Sequence, residues 1–382
     1  MMHVRALAAA VLLGLLLPVG ASAARLKTVQ VPTGGFAINL PTSWVNVTSA
    51  APSVLKKLEQ VPAFKAFAQS ASQNGSLKLI AADPTSKGSA YMDTGVARVG
   101  NVPLGTVAAA TKKALQQTLG KRGKVTSKRT AIAAGPAYVL HLSRKGSPNE
   151  TDEYLFIKDQ VEYVMVFVAT SRSWAKYAPL FAASAKSFRL TPGPNLSHIV
   201  LSGSQVGAGY KLTTFPFGNS FIGEPTLDLC GGSYASEALR TGRLQVRYSH
   251  HGKGVDVSNE VVTYAGTGAQ QALQEVTSVA KACARKPVVL RSGSLTETYK
   301  VSPLADPKLP AGSVVVKLEI TASNGKKKVK QTGVAVYQVR GNTLSGVYTF
   351  VGKGTTFADA ERIAFHAAEQ SMHNLGGGAL TA

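Results

Sequence analysis

The residues with the clearest potential for chemistry are lysines and arginines gathered in two short stretches. The chain has 42 Lys and Arg against 20 Asp and Glu, a formal net charge of +22 at pH 7. Such an excess of positive charge draws in polyanions and speeds encounters with them. Both stretches follow a glycine, which favours loop or hairpin tips, so we expect candidate anion-binding sites at Lys121, Arg122, Lys124, Lys128 and Arg129, and at Lys326, Lys327, Lys328 and Lys330. The alternative is a solvated basic surface with no dedicated partner.

The chemistry of these stretches limits the partner. Aromatic residues make up 7 % of the chain and do not alternate with the basic groups. Stacking platforms for single-stranded nucleic acid need that alternation, so specific nucleic-acid binding is not predicted. The expected partners are an anionic cell-wall polymer, an anionic lipid headgroup or an envelope protein.

Motifs for catalysis and for metal binding are incomplete. The segment Gly352–Thr356 lacks the glycine and serine or threonine spacing of a phosphate-binding loop, so we interpret it as a helix start with Thr356 as N-cap and Asp359 three residues on. The seven histidines, including His250, His251, His366 and His373, have no metal-ligand spacing. A G-x-S-x-G nucleophile elbow is absent. We therefore predict no catalytic residue, metal or cofactor; the alternative is a secreted hydrolase whose triad assembles from distant residues.

The first residues have the pattern of a signal peptide. A basic start, Met1–Arg5, precedes the apolar run Ala6–Val19 and the small residues Ala21-Ser22-Ala23. We expect cleavage after Ala23, because the run falls short of the ~20 residues that span a bilayer. No cysteine is present for a lipid anchor and no later apolar run could span. The expected product is a secreted, extracytoplasmic chain from Ala24, with a charge of +21 once Arg5 is removed.

Cysteine usage fits that compartment. The chain has only two cysteines, Cys230 and Cys283. In an oxidising environment they predict one disulfide, which would be worth about 4 kcal/mol on a loop-entropy estimate. Two buried free thiols are the alternative.

Apolar periodicity predicts helices in both halves. A stripe of Ala108, Thr111, Leu115 and Leu119 indicates a helix from about Leu104 to Leu119. A second helix carries Trp174, Tyr177, Phe181, Ala185 and Phe188, with Pro179 expected to kink it or to begin another helix. In the second half, Ala269, Leu273, Val276, Ala280 and Cys283 share one helical face.

Strand patterns complete a similar plan in each half. Strands are expected from Leu77, over Gly95–Val99, at Leu244–Tyr248 and over Glu260–Tyr264. Hairpins are expected at Glu153–Val168, turning at Lys158-Asp159-Gln160, and at Val334–Val351, turning at Gly341-Asn342. The predicted fold class is α+β, with two tandem similar domains, each an antiparallel sheet packed by helices. The expected boundaries are a domain over 24–190, a linker over 191–197, a domain over 198–375 and a disordered tail over 376–382.

Two family resemblances support this division. Gly35–Pro41, Trp44 and the closing Ser187-Phe188 resemble PsbP-like domains, including LpqN-type exported actinobacterial proteins. The second half resembles exported proteins related to the extracellular sensor domain of mycobacterial Ser/Thr kinases, and the residues that carry this resemblance are Thr226–Cys230, Tyr234, Glu237, Arg240, Arg243, Glu260–Tyr264 and Cys283. Those sensor domains typically have two disulfides, whereas this chain can form one. The resemblances imply an α+β fold and binding or accessory roles, and they supply no catalytic residue and no ligand.

Together these observations predict an exported, non-catalytic, envelope-associated binding or accessory protein. It would recognise an anionic ligand or an envelope partner, through a groove between sheet and helix or through the basic loops.

Overall fold

The computed structural model describes residues 25–48, 77–215, 218–222, 226–232, 234–250, 253–306, 308–325 and 327–377. The predicted signal peptide, residues 1–23, lies outside the described residues. Among the helices described, none is long and apolar enough to cross a membrane.

Within its described residues, the first half contains two antiparallel sheets and two long helices. In chain order its elements are β1 (Leu26–Val31), β2 (Phe36–Pro41), β3 (Val45–Asn46), β4 (Leu77–Ala82), β5 (Ala90–Arg98), α1 (Leu104–Leu119), β6 (Gly123–Ile132), β7 (Gly135–Arg144), β8 (Asn149–Lys158), β9 (Val161–Thr170), α2 (Trp174–Lys186) and β10 (Arg189–Leu190). The strand orders are β3-β4-β5-β9-β8-β7-β6 and β1-β2-β10. Helix α1 packs on Leu140 and Leu155, while α2 and β2 pack on the other face, around Phe156 and Phe167.

The described part of the second half contains one antiparallel sheet of eight strands. Its elements are α3 (Gly203–Val206), β11 (Lys211–Thr214), β12 (Arg240–His250), β13 (Lys253–Tyr264), α4 (Gly268–Arg285), β14 (Val288–Ser292), β15 (Leu295–Pro303), β16 (Val314–Ser323), β17 (Lys328–Arg340), β18 (Thr343–Phe350) and α5 (Phe357–Gly377). The order is β11-β12-β13-β18-β17-β16-β15-β14. Because side chains alternate along a strand, Val334 and Val336 of β17 pack under α5, and Ala335 and Tyr337 pack under α4.

The two halves share one topology. In each, two neighbouring strands are followed by a helix that crosses to the far edge of the sheet, β5 to β6 and β13 to β14. A meander then returns until its last strand, β9 or β18, pairs with the second of those two strands, β5 or β13, and a helix on the opposite face follows. The second half has one more strand in its meander. The fold is therefore the predicted α+β class, with two sheet-rich halves in tandem.

The helices agree closely with the periodicity. Helix α1 has the predicted limits, and α4 buries Ala269, Val276, Ala280 and Cys283 of the predicted face. Helix α2 continues through Pro179 as one helix, so no second helix begins there. Segment 191–196 has no regular structure, but Leu196 is already part of the second core.

Two details of the turns and of the C-terminus differ from expectation. Lys158 pairs with Val161, so the first hairpin turns on two residues rather than three, Asp159 and Gln160, with φ of 51° and 64°. That is the pattern of a type I′ turn. The predicted tail begins too early, because α5 includes Gly376, where the Arg340 guanidinium packs against the backbone. Residues 378–382 of that tail lie outside the described residues.

Candidate functional site

A cavity of about 220 Å³ opens on the α4 side of the second sheet, beside the area that the helix covers. Its floor consists of alternate side chains on six neighbouring strands, which face the same side because strands have a two-residue repeat. The floor residues are Arg243, Gln245, Ser258, Glu260, Tyr299, Leu318, Ile320, Tyr337, Tyr348 and Phe350, and the rim residues are Phe215, Thr226, Asp228 and Leu229.

A buried ion pair lies in this floor. Arg243 on β12 donates from Nε to a carboxylate oxygen of Glu260 on β13, and Glu260 is 3 % exposed. The same guanidinium donates from Nη2 to the Gln245 amide oxygen and from Nη1 to the Ser220 carbonyl, at 3.3 Å. Gln245 in turn donates to the Ser258 hydroxyl at 3.2 Å. The floor is thus a connected polar network within an apolar core.

The rim is held by two independent contacts. Glu237 accepts from the Thr226 hydroxyl and, at 3.2 Å, from the Leu227 amide. The predicted disulfide is present and joins Cys230 to Cys283 near the end of α4, with Cα atoms 6.4 Å apart. These contacts fix the segment that carries Asp228 and Leu229 against the helix.

Carboxyl groups outnumber basic groups around the cavity. Two carboxylates, Asp228 and Glu260, line it against the single guanidinium of Arg243. Burial raises the pKa of Glu260 to about 7, although the Arg243 guanidinium acts in the opposite direction. Asp228 is exposed at the rim, but desolvation by the surrounding chain still raises the pKa of its carboxyl, which Arg243 lowers and Glu237 and Glu297 raise further. The cavity of this basic chain is therefore lined by two carboxyl groups and one guanidinium.

Aromatic rings form much of the remaining wall. The rings of Tyr337 and Tyr348 meet edge to face, with centroids 5.6 Å apart. Burial keeps the pKa of both phenols well above the ordinary value, so they stay neutral. The Tyr348 hydroxyl is itself buried beneath this wall and is not accessible from the cavity.

The basic stretches of the sequence lie elsewhere and differ from each other. Lys121 and Arg122 form a turn after α1, but Lys124, Lys128 and Arg129 lie on β6, at the edge of the first sheet. The expectation of a loop tip is wrong there, because Gly120 and Gly123 enclose a single short turn and the chain then pairs with β7. Exposed lysines on an edge strand also discourage pairing with another chain.

The second stretch lies at a hairpin tip, as expected. Lys327, Lys328 and Lys330 are exposed at the connection from β16 to β17. Lys326 lies outside the described residues.

Other sequence motifs have structural roles. Thr356 is the N-cap of α5: its hydroxyl lies 3.3 Å from the Asp359 amide, and Asp359 accepts from the Thr356 amide at 2.9 Å. His251 lies outside the described residues. The part of the chain that the structure describes has no group of three or more metal-ligating side chains placed to hold an ion.

The described histidine that comes nearest to a catalytic arrangement is His141. Its Nδ1 lies 2.9 Å from Asp152 and its Nε2 lies 3.6 Å from Glu150. Both ring nitrogens of His141 therefore face carboxylates. In a hydrolase triad one ring nitrogen faces the nucleophile instead, so His141, Asp152 and Glu150 do not form such a triad.

The cavity is not evident from the sequence. Arg243 and Glu260 belong to the residues that carry the family resemblance, and no motif marks them as a site. In the sequence, Arg243 and Gln245 alternate with apolar residues along β12. The same alternation is typical of an ordinary strand with one face exposed to solvent, so it does not indicate a cavity.

Comparison with known proteins identifies similar folds at low similarity. No family model matches the chain, and no curated protein matches it. Similar solved structures include the cyanobacterial PsbP of Synechocystis, at 11 % identity and a TM-score of 0.31, over 45 % of this chain and 95 % of that one. The extracellular domain of PknH from Mycobacterium tuberculosis is 16 % identical with a TM-score of 0.34, over 46 % of this chain and 94 % of that one. The immunity protein TplEi of Pseudomonas aeruginosa is 11 % identical with a TM-score of 0.23, over 90 % and 94 %. The first two are the kinds of protein that the sequence resembles.

Proposed function

We propose that this chain is an exported, non-catalytic binding protein that takes a small ligand into the cavity of its second half. The observation that carries the proposal is the buried Arg243–Glu260 pair at the floor of an open, aromatic-walled cavity. Removing two charges from water is costly, and such pairs are often replaceable by apolar residues without loss of stability. Recognition of a ligand explains why this pair is placed on a cavity.

The walls define the ligand by its chemistry. An anion would meet two carboxyl groups and a single guanidinium that already donates to Glu260, Gln245 and Ser220, so it is disfavoured. A cationic group would be attracted to Asp228 and Glu260 and could lie over an aromatic face. We therefore propose a small ligand with an apolar or aromatic body and a cationic or neutral polar head.

Three probes of the same shape test this chemistry. Phenylethylammonium, 2-phenylethanol and 3-phenylpropionate share an aromatic ring and a short arm but carry a positive, a neutral and a negative head. We expect titration calorimetry or ligand-observed NMR on the mature chain to show binding that weakens in that order. Glu260→Gln should weaken the binding of the cation about tenfold, a change of ~1.4 kcal/mol.

Ser345→Ala is the matched control, because Ser345 is buried on the opposite face of the same sheet and bonds Ser371 of α5. It should leave the probe affinities unchanged. Equal binding of all three probes, or no binding of any, would contradict the proposal.

We further propose that the basic surface keeps the exported chain near an anionic wall polymer or lipid headgroup. Support comes from the net charge of +21 that the exported chain would carry and from the exposed lysines of β6 and of the β16–β17 hairpin. Retention on purified cell wall or on anionic vesicles should fall steeply as salt screens these charges.

Three triple variants separate a local site from general charge. In each variant three basic residues are replaced by glutamine. The first set is Lys124, Lys128 and Arg129, and the second set is Lys327, Lys328 and Lys330. The matched control set is Lys281, Arg285 and Lys286, which are exposed near the end of α4 and directly after it. A dedicated site predicts a larger loss of retention for one of the first two sets than for the control. Equal losses would indicate net charge alone, and absence of retention at every salt concentration would refute the electrostatic proposal.

A further inference from the structure

The segment 218–222 connects the cavity with the first half of the chain. At its start, the Gly218 carbonyl accepts a hydrogen bond from the backbone N–H of Gln245 at 2.7 Å. At its middle, the Ser220 carbonyl accepts from Arg243 Nη1 at 3.3 Å. Gln245 and Arg243 both line the cavity, so the position of this segment and the shape of the cavity floor depend on each other.

The end of the same segment is inserted into the first half. Ile222 is 8 % exposed and belongs to the hydrophobic cluster that contains Phe36 and Tyr163, and Phe221 packs against that cluster. Both side chains come close to Gly35, which adopts φ +65°; a Cβ there would lie 3.5 Å from the Phe221 ring and 3.8 Å from Ile222 Cδ1. We call Phe221 and Ile222 the docking residues.

A second cavity links Arg243 to the same junction between the two halves. Arg243 also lines a second cavity, of about 270 Å³, together with Phe221 and the connecting residues Pro194 and Leu196. Arg243 therefore lies between the ligand cavity and the junction of the two halves.

A second link from the first half is electrostatic. Lys78 on β4 interacts with Arg240 and Glu237, which pair with each other at 3.0 Å. Burial, with a smaller contribution from Arg240, lowers the pKa of Lys78 to about 8. Glu237 is the residue that holds Thr226 at the cavity rim. Besides the packing of segment 218–222, the first half is therefore linked electrostatically, through Lys78, to the residue that holds the cavity rim.

We propose that ligand binding in the cavity and docking of the first half are coupled, with the first half acting as an intramolecular partner that sets the affinity of the second. This rests on the proposed function. The docked first half holds the Ser220 carbonyl on Arg243, and this contact keeps the guanidinium aligned with Glu260 and Gln245. Coupling is reciprocal, so a filled cavity must also strengthen docking by the same factor.

The first test measures binding of phenylethylammonium to the full mature chain. In Phe221→Ala/Ile222→Ala the cation should bind at least about fivefold more weakly than in the wild type, the lower end of typical coupling. Val125→Ala is the matched control, because it truncates a core residue under α1 in a separate cluster. It should bind like the wild type. Equal affinity of the wild type and the double variant would overturn the coupling and leave the cavity proposal intact.

The second test needs no ligand and retains its meaning if no probe binds. Arg243→Lys keeps the charge beside Glu260 but cannot match the donors of the guanidinium to Ser220 and Gln245. The reporter is the Thr191 amide, which donates to the Gly35 carbonyl at 2.9 Å, beside the docking residues. Its hydrogen exchange should be about fivefold faster in Arg243→Lys.

The outcomes separate the two proposals. Unchanged exchange at Thr191 would overturn the coupling whatever the probe does. Faster exchange together with no probe binding to the wild type would support the coupling and contradict the proposed ligand chemistry. The exchange test also stands if the double variant fails to fold.

Discussion

At the scale of single residues, the Arg243–Glu260 pair is the most informative feature of the molecule. Its side chains are 7 % and 5 % exposed, so each has lost nearly all its contact with water. Breaking such a pair leaves an uncompensated buried charge, at a typical cost of 3–5 kcal/mol, whereas replacing both partners with apolar residues is often neutral. Stability and binding therefore make different demands on these positions.

Two variants separate the contribution of this ion pair to stability from its contribution to binding. Arg243→Met should lower the free energy of unfolding by about 3 kcal/mol, because Glu260 remains buried without its partner. The loss should be larger at pH 8 than at pH 5, since an unpaired buried carboxyl has a raised pKa and is tolerated in its protonated form. Urea denaturation of the mature chain at both pH values measures this.

The double variant Arg243→Met/Glu260→Met provides the contrast. It should recover most of the lost stability but should not bind phenylethylammonium. If it is as unstable as the single variant, the pair contributes to the fold in its own right and the argument that it is kept for binding is wrong.

At the scale of elements, local patterns were sufficient for the helices and for the hairpin turns. The stripe from Ala108 to Leu119 gave the limits of α1, since a helix depends on contacts three and four residues apart. The Gly341-Asn342 turn forms with φ of 60° at Gly341, as a two-residue hairpin requires. Helix α2 continues through Pro179, although a proline inside a helix usually interrupts it. The buried face that includes Tyr177 and Phe181 stabilises the helix on both sides of the proline.

Pairing between distant strands could not be predicted from such patterns. Strand β18 pairs with β13, about 85 residues earlier, and β9 pairs with β5 in the same way. The candidate site depends on this pairing, because its floor takes one or two residues from each of six strands. Basic stretches, by contrast, are contiguous in sequence and are therefore visible in it. Their geometry is not, because Lys124, Lys128 and Arg129 lie on strand β6 and not in a loop.

At the scale of the whole molecule, the tandem halves place acidic groups on corresponding faces of a strongly basic chain. In the first half, Asp93 on β5 and Glu153 on β8 lie on either side of Val166 of β9 in the sheet register. Burial raises the pKa of Asp93 to about 6. Burial also raises the pKa of Glu153 to about 7, with smaller contributions from Glu162 and Asp93.

These two carboxyls give the first half a defined dependence on pH. Each binds a proton more tightly in the folded than in the unfolded chain, so the stabilisation is complete below pH ~4 and is lost as pH rises through about 6 and 7. One pKa unit corresponds to ~1.4 kcal/mol. After a discount for partial exposure, we expect the free energy of unfolding of the first half to fall by about 1–2 kcal/mol between pH 5 and pH 8 because of these groups.

The chain offers a selective probe for this measurement. Its two tryptophans, Trp44 and Trp174, both lie in the first half, so tryptophan fluorescence during urea denaturation reports that half. Repulsion among the excess positive charges grows at low pH and acts in the opposite direction, but it is nearly the same in Asp93→Asn/Glu153→Gln. The difference in stability between wild type and variant should therefore change by ~1–2 kcal/mol across this range. Parallel pH profiles would show that Asp93 and Glu153 titrate alike in the folded and unfolded chain, and that the acidic face of the first half does not affect its stability.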